Sequence, residues 1–189
     1  MADEKLIRSF IAIPLSDSIK SKVATIQNRL KPTLPDVRWV KPETMHLTLH
    51  FFGDLNDESL EKAGSVMVSI GSLIPPFSMT LSGIDAFPSP SRARVFWLGI
   101  KCDRINGLYA ALETGLEEVG FVREKRAFHP HITLGRCRSQ PQRSGHILSP
   151  ETDTVAGEMT VDRMVLYESQ LLPSGAVHRP RQTIHFTAG

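Results

Sequence analysis

Cysteine is scarce. Cys102 and Cys137 are the only two in the chain, and neither belongs to a CxxC pair. Long hydrophobic runs are missing as well: no stretch approaches the roughly 20 apolar residues that cross a bilayer, so no membrane association is expected. The opening "MADEKLIRSF" brings acids early and lacks the apolar run of a signal peptide. Together these features fit a reducing, cytoplasmic setting. Nor is there a surplus of charge. Lys and Arg number 22 against 20 Asp and Glu, a formal +2, and a balance so near zero selects no partner. Hydrophobic residues make up 41% and charged ones 22% of 189 residues, which excludes disordered and collagen-like classes and leaves a globular chain.

What charge there is collects locally. Between residues 122 and 143 stand Arg123, Lys125, Arg126, Arg136, Arg138 and Arg143 against one acid, Glu124. Such a neighbourhood either attracts phosphates or is a solvated face, and charge alone favours the solvated face.

Periodicity and punctuation divide the chain. "LIRSFIAIPL" (6–15) is β-branched and aromatic and ends on proline, so it reads as a strand. Ile19, Val23, Ile26 and Leu30 recur at helical spacing between a Ser16 or Asp17 cap and Pro32, giving a helix over 17–31. "VRWV" leads through Pro42 into "MHLTLHFFGD" (45–54), a strand that Gly53-Asp54 should end. A second helix follows over 56–74, with Asn56 or Asp57 near its cap. "FSMTLSGIDAF" is a strand, and "PSPSRAR" an exposed loop carrying Arg92 and Arg94. Strand 94–102 precedes a helix whose stripe is Ile105, Leu108, Leu112, Leu116 and Val119, with Gly120 as its C-terminal cap. "FHPHITLGRCR" is strand-like again. The last third fits two or more antiparallel strands around an "LPSG" turn. No linker interrupts this order, so residues 1–189 are expected to form a single two-lobed domain.

A repeat emerges. Strand 6–15, helix 17–31 and "HLTL" at 46–49 parallel strand 94–102, helix 104–119 and "HITL" at 131–134. The period is too long for a solenoid, and only two copies exist. The expectation is an α+β, bilobal, pseudo-symmetric fold, with two antiparallel sheets forming a central cleft and helices outside. Setting the two HxT strands side by side would bring His46 and His131, 85 positions apart, to one site.

On a strand, residues i and i+2 share a face, about 6.6 Å apart. His46 with Thr48, and His131 with Thr133, therefore each present an imidazole and a hydroxyl, while Leu47 and Ile132 face the core. Displacement at a phosphodiester needs a base for the attacking oxygen and an acid for the leaving one. Imidazole, with a pKa near 6.5, serves either role near neutrality. The hydroxyls can donate to the non-bridging oxygens as charge builds there. No metal or other cofactor is required. The H-x3-H spacing of "HLTLH" suggests zinc only on a helix; on a strand those histidines lie about 13 Å apart, and the glutamate of HExxH is missing.

"HLTLHFFGD" and "FHPHITLGRCR" resemble the two signature motifs of the two-histidine phosphoesterase superfamily, and within it the RNA 2',3'-cyclic phosphodiesterases, also called 2'-5' RNA ligases. "RSFIAIPL", "VRWVKPETMHLTLHFFGD", "RVFWLGI" and "VLYESQLLPSG" extend the resemblance over nearly the whole chain. It implies hydrolysis of a terminal 2',3'-cyclic phosphate on RNA to a 2'-phosphate. His46 would be the acid toward the departing 3' oxygen, His131 the base that activates water, and Thr48 and Thr133 the phosphate holders. The partner would be an RNA or nucleotide with a cyclic phosphate end. No obligate protein partner is implied, and monomer is the default for a cleft formed within one chain.

Phe51 and Arg136 each stand five residues after a motif histidine and are candidates to hold the terminal nucleotide. Strict alternation puts both on the face opposite the histidines unless the strand bulges or ends there. Arg138, His129 and Arg126 either contact backbone phosphates or are surface charge. His50 stands where relatives often carry lysine and shares a face with His46 by parity, a place from which it could contact RNA or add a third titration; the sequence does not assign its role. Phe52 replaces a frequent leucine. His178 falls where the family's closing segment often has an aromatic residue. Two other functions use the same residues: a 2',5'-oligonucleotide phosphodiesterase or weak ligase, and a non-catalytic RNA-end-binding module, which the intact histidines disfavour.

Overall fold

The computed structural model describes residues 6–173 and 175–187. Residues 1–5, in the opening segment read above, and Ser174, in the "LPSG" turn, lie outside the described residues. The elements are β1 (Ile7–Pro14), α1 (Asp17–Leu30), β2 (Val37–Trp39), β3 (His46–Leu55), α2 (Asp57–Gly71), β4 (Phe77–Phe87), β5 (Val95–Lys101), α3 (Asp103–Glu118), β6 (His131–Cys137), α4 (Gly145–Leu148), β7 (Val155–Val161), β8 (Arg163–Leu172) and β9 (Gly175–His185). No helix among the described residues is long and apolar enough to cross a membrane.

Local chemistry sets the helix ends. The Ser16 hydroxyl accepts from Ile19 N at 3.3 Å, and Asn56 Oδ1 accepts from Ser59 N at 2.9 Å, each satisfying a first-turn N–H that has no partner within its helix. Gly120, at φ 95°, turns the chain out of α3. Gly53 behaves differently from the expectation. At φ 81° it sits beside an irregularity in the β1–β3 register, and β3 continues past it to Leu55.

The strands run β7-β4-β5-β6-β3-β1-β8-β9, with β2 added to β6. Every pairing is antiparallel. The two sheets expected from the repeat are halves of one continuous nine-stranded sheet, joined at its centre by the pair Leu47–Ile132. Those are the residues between histidine and threonine in the two motifs, and both are buried. The central order β5-β6-β3-β1 reads the same from either side: each repeat contributes its first strand outside and its HxT strand at the seam.

The helices tie the halves together. α1, which leaves β1 of one half, packs on β7 of the other. α2 packs on β8, β9 and α3. α3, from the second repeat, sends Glu113 to His50 on β3 of the first. One cluster of buried apolar side chains runs through both halves, from Ile11 and Leu47 to Phe96 and Ile132. Gln27 of α1 is 2% exposed and donates through Nε2 to the Val40 and Leu134 carbonyls at 2.8 and 2.9 Å. That fastens a helix to the second motif strand at its Leu134 and to the segment between β2 and β3.

Candidate active site

Two β-bulges aim the site. Ile11 pairs with His50 and Ala12 with Thr48, which leaves Leu49 without an opposite residue. In the second copy Phe96 pairs with Gly135 and Trp97 with Thr133, leaving Leu134 over. An extra residue reverses the alternation of faces beyond it. His46 and Thr48 therefore face the cleft, Leu49 and His50 are both buried, and Phe51 emerges on the cleft side. The same sequence of faces is met in His131, Thr133, Leu134, Gly135 and Arg136. The condition attached to Phe51 and Arg136 is met twice, at equivalent positions.

The expectation for His50 is corrected. It shares no face with His46. It is 7% exposed and bonds Glu113 Oε1 through Nδ1 at 2.5 Å, on the core side of the sheet. Because His46 and His50 point to opposite sides, they cannot share a metal ion. Arg126, His129 and Arg138 are exposed and do not line the cleft; Arg126 is ion-paired with Glu124.

All six expected site residues line one cavity of about 690 Å³, together with Arg8, Phe10, Arg38, Lys41, Ser169 and His178. The imidazoles are held alike. His46 Nδ1 lies 2.8 Å from the Thr44 carbonyl, and His131 Nδ1 lies 2.6 Å from the His129 carbonyl. A carbonyl only accepts, so each Nδ1 carries hydrogen and each Nε2 is left with its lone pair open to the cleft. The Thr48 and Thr133 hydroxyls make no hydrogen bond among the described residues and are free to donate. Aromatic rings fix the imidazole planes: Phe10 stacks on His46 at 4.7 Å, and Phe87 meets His131 edge-on at 5.1 Å. On the β3 side, the Arg8 guanidinium sits 4.6 Å over the Phe51 ring. Phe10, Phe87, Arg8 and Gln27 carry no motif, and only their distance from the seam in space marks them.

Burial pushes the His46 imidazole down to about 4, against the pull of the Thr44 carbonyl and with some help from His178. His131 is lowered first by burial, against the His129 carbonyl, and then by the Arg136 guanidinium and His129. Both rings are thus neutral at pH 7. An unfolded chain protonates these histidines near 6.5, while the folded chain leaves His46 neutral until about pH 4. Stability from this group is complete above pH 6.5 and falls as pH drops toward 4. The loss is at most about 3 kcal/mol at roughly 1.36 kcal/mol per pH unit, less in practice because the ring edge stays open to the cleft. Urea denaturation between pH 7 and 4.5 should show a shallower fall for His46→Asn than for wild type. Equal slopes would contradict the assignment.

Chemically, the cleft presents two imidazole nitrogens that can each take up a proton, beside two hydroxyls that can donate. The family model described as LigT like Phosphoesterase matches residues 13–97 and 100–178. An RNA 2',3'-cyclic phosphodiesterase of Thermotoga maritima is 32% identical over 184 residues, covering 97% of each chain. One from Methanothermobacter thermautotrophicus is 30% identical over 175 residues, 91% of this chain and 95% of the relative. Among solved structures, TT0787 of Thermus thermophilus aligns with a TM-score of 0.84 at 25% identity, over 95% of this chain and 98% of that one. Escherichia coli LigT complexed with 3'-AMP aligns with 0.80 at 25%, over 97% and 100%. With a family model spanning both motif strands and relatives matched nearly end to end, the chain belongs to the LigT-like phosphoesterase family.

Proposed function

We propose that the protein hydrolyses the 2',3'-cyclic phosphate at the end of an RNA to a 2'-phosphomonoester, by acid and base catalysis from paired histidines and without a metal. The observation that carries this reading is the matched tethering of His46 and His131. Each is bonded to the carbonyl two residues before it, and each opens Nε2 onto one cleft beside a free threonine hydroxyl. Names of the relatives agree with it.

In this mechanism Thr48 and Thr133 donate to the non-bridging phosphate oxygens. His131 takes a proton from water as its oxygen attacks phosphorus. The bond from phosphorus to the 3' oxygen breaks, and His46 gives that oxygen a proton. This division of roles follows the family resemblance. Burial lowers both rings, His46 to about 4, and an anionic phosphate in the cleft restores the proton on the ring that acts as acid.

An RNA end suits the rest of the cleft. Arg8, Arg38, Lys41 and Arg136 line it, and among the described residues no Asp or Glu does. The flanks break the symmetry of the centre: Phe51 offers a stacking face on one side, and Arg136 a charge on the other. We assign Phe51 to the terminal nucleobase and Arg136 to phosphate. The site is built from one chain and needs no second copy.

The test is incubation of purified protein with an oligoribonucleotide ending in 2',3'-cyclic phosphate, with and without EDTA. Hydrolysis at the same rate in both supports the reading; loss of activity in EDTA that added metal restores would overturn it.

A further inference from the structure

The third imidazole of the cleft belongs to neither motif. His178 stands on β9 opposite Ser169 of β8 and lines the cavity. Its ring meets His46 edge-on at 5.2 Å and Phe10 at 4.9 Å. Nδ1 is buried and has no hydrogen-bond partner among the described residues. Nε2 is therefore the ring nitrogen that remains open to the cleft.

The unpartnered nitrogen decides the tautomer. Hydrogen on Nδ1 would be a buried N–H with nothing to receive it, and protonating both nitrogens would add a charge to the same defect. The less costly state leaves the lone pair on Nδ1 and puts hydrogen on Nε2. His46 and His131 are the reverse, since their Nδ1–H groups are tied to carbonyls and their Nε2 atoms present lone pairs. In the neutral cleft, His178 is the imidazole that arrives as a donor.

We propose that His178 is a further substrate-contacting residue, donating its Nε2–H to a phosphoryl oxygen on the His46 side of the cleft. This rests on the phosphate reading of the cleft given above. A phosphate that enters between two nitrogen lone pairs needs donors. The two threonines provide them from the HxT strands, and His178 adds one from the β8–β9 hairpin, where the second half has no counterpart in the cavity wall among the described residues. An aromatic residue at this place would keep the packing on Phe10. A phenyl ring would lose the donor.

His178→Phe and His178→Gln separate packing from donation. The measurements are kcat and KM on the cyclic-ended oligoribonucleotide, Kd for the matching 2'-phosphorylated oligonucleotide, and a melting curve for each variant. A hydrogen bond to a charged acceptor corresponds to about tenfold or more in affinity. His178→Phe should raise KM and Kd by about that factor while the protein stays folded, and His178→Gln should recover most of it. Two outcomes overturn the proposal: His178→Phe binding within threefold of wild type, or both variants losing affinity equally. Should wild type fail to hydrolyse the cyclic end yet bind the phosphomonoester tenfold tighter than His178→Phe, the hydrolase reading falls and this contact stands.

Discussion

His46→Ala and His131→Ala each lower turnover on a cyclic phosphate end by at least about 10²-fold, the lower end for a positioned acid or base. In the proposed mechanism each ring supplies a proton transfer that water performs poorly at the same place. Each is also pre-aimed, by a carbonyl behind Nδ1 and an aromatic ring against its plane. If the two act on one phosphorus in one step, as proposed, the double variant should lose far less than the product of the single losses. KM should move less than kcat, since the threonines and the cationic lining remain. Both variants should stay folded, as both rings are only half-buried and stand on the cleft wall. A change under threefold in both variants would remove the histidines from the reaction.

Glu113→Leu destabilises the fold by about 3–5 kcal/mol, the usual cost of removing one partner from a buried ionisable pair. Glu113 is 1% exposed. One carboxylate oxygen bonds His50 Nδ1 at 2.5 Å, and the other accepts from Glu124 N at 3.1 Å. This side chain thus links the first HxT strand, the second repeat's helix and the segment that leads to His131. Leucine leaves the imidazole and the Glu124 N–H without acceptors. His50→Leu added to Glu113→Leu removes the first of these defects, so the double variant should be more stable than Glu113→Leu alone, and urea denaturation at pH 7 measures both. If Glu113→Leu matches wild type within about 0.5 kcal/mol, the range of unremarkable surface substitutions, the pair has no such structural role.

The pair also shows where the sequence stopped being legible. His46, Thr48, His131 and Thr133 are readable because chemistry and local spacing coincide, and because a second copy repeats the first. The alternation that places them holds only as far as the bulge. Leu49 and Leu134 look like ordinary strand residues, and nothing in their identity announces an extra residue in the ladder. Parity therefore put His50 in the cleft when it lies in the core, and it could only state a condition for Phe51 and Arg136. Glu113 is 63 positions from His50, and Gln27 is 107 from Leu134, separations at which a single sequence carries no pairing signal. The two-lobed plan was legible from the repeat. That the lobes share one sheet was not, because it depends on a single residue pair at the seam.

In the proposed reaction two imidazoles open a cyclic phosphate toward its 3' oxygen without help from a metal. The position of phosphate on the product, read by ³¹P NMR after complete turnover of a cyclic-ended oligoribonucleotide in EDTA, decides it. A 2'-phosphomonoester is expected as the sole product; a 3'-phosphomonoester, or an untouched cyclic phosphate, would refute the mechanism.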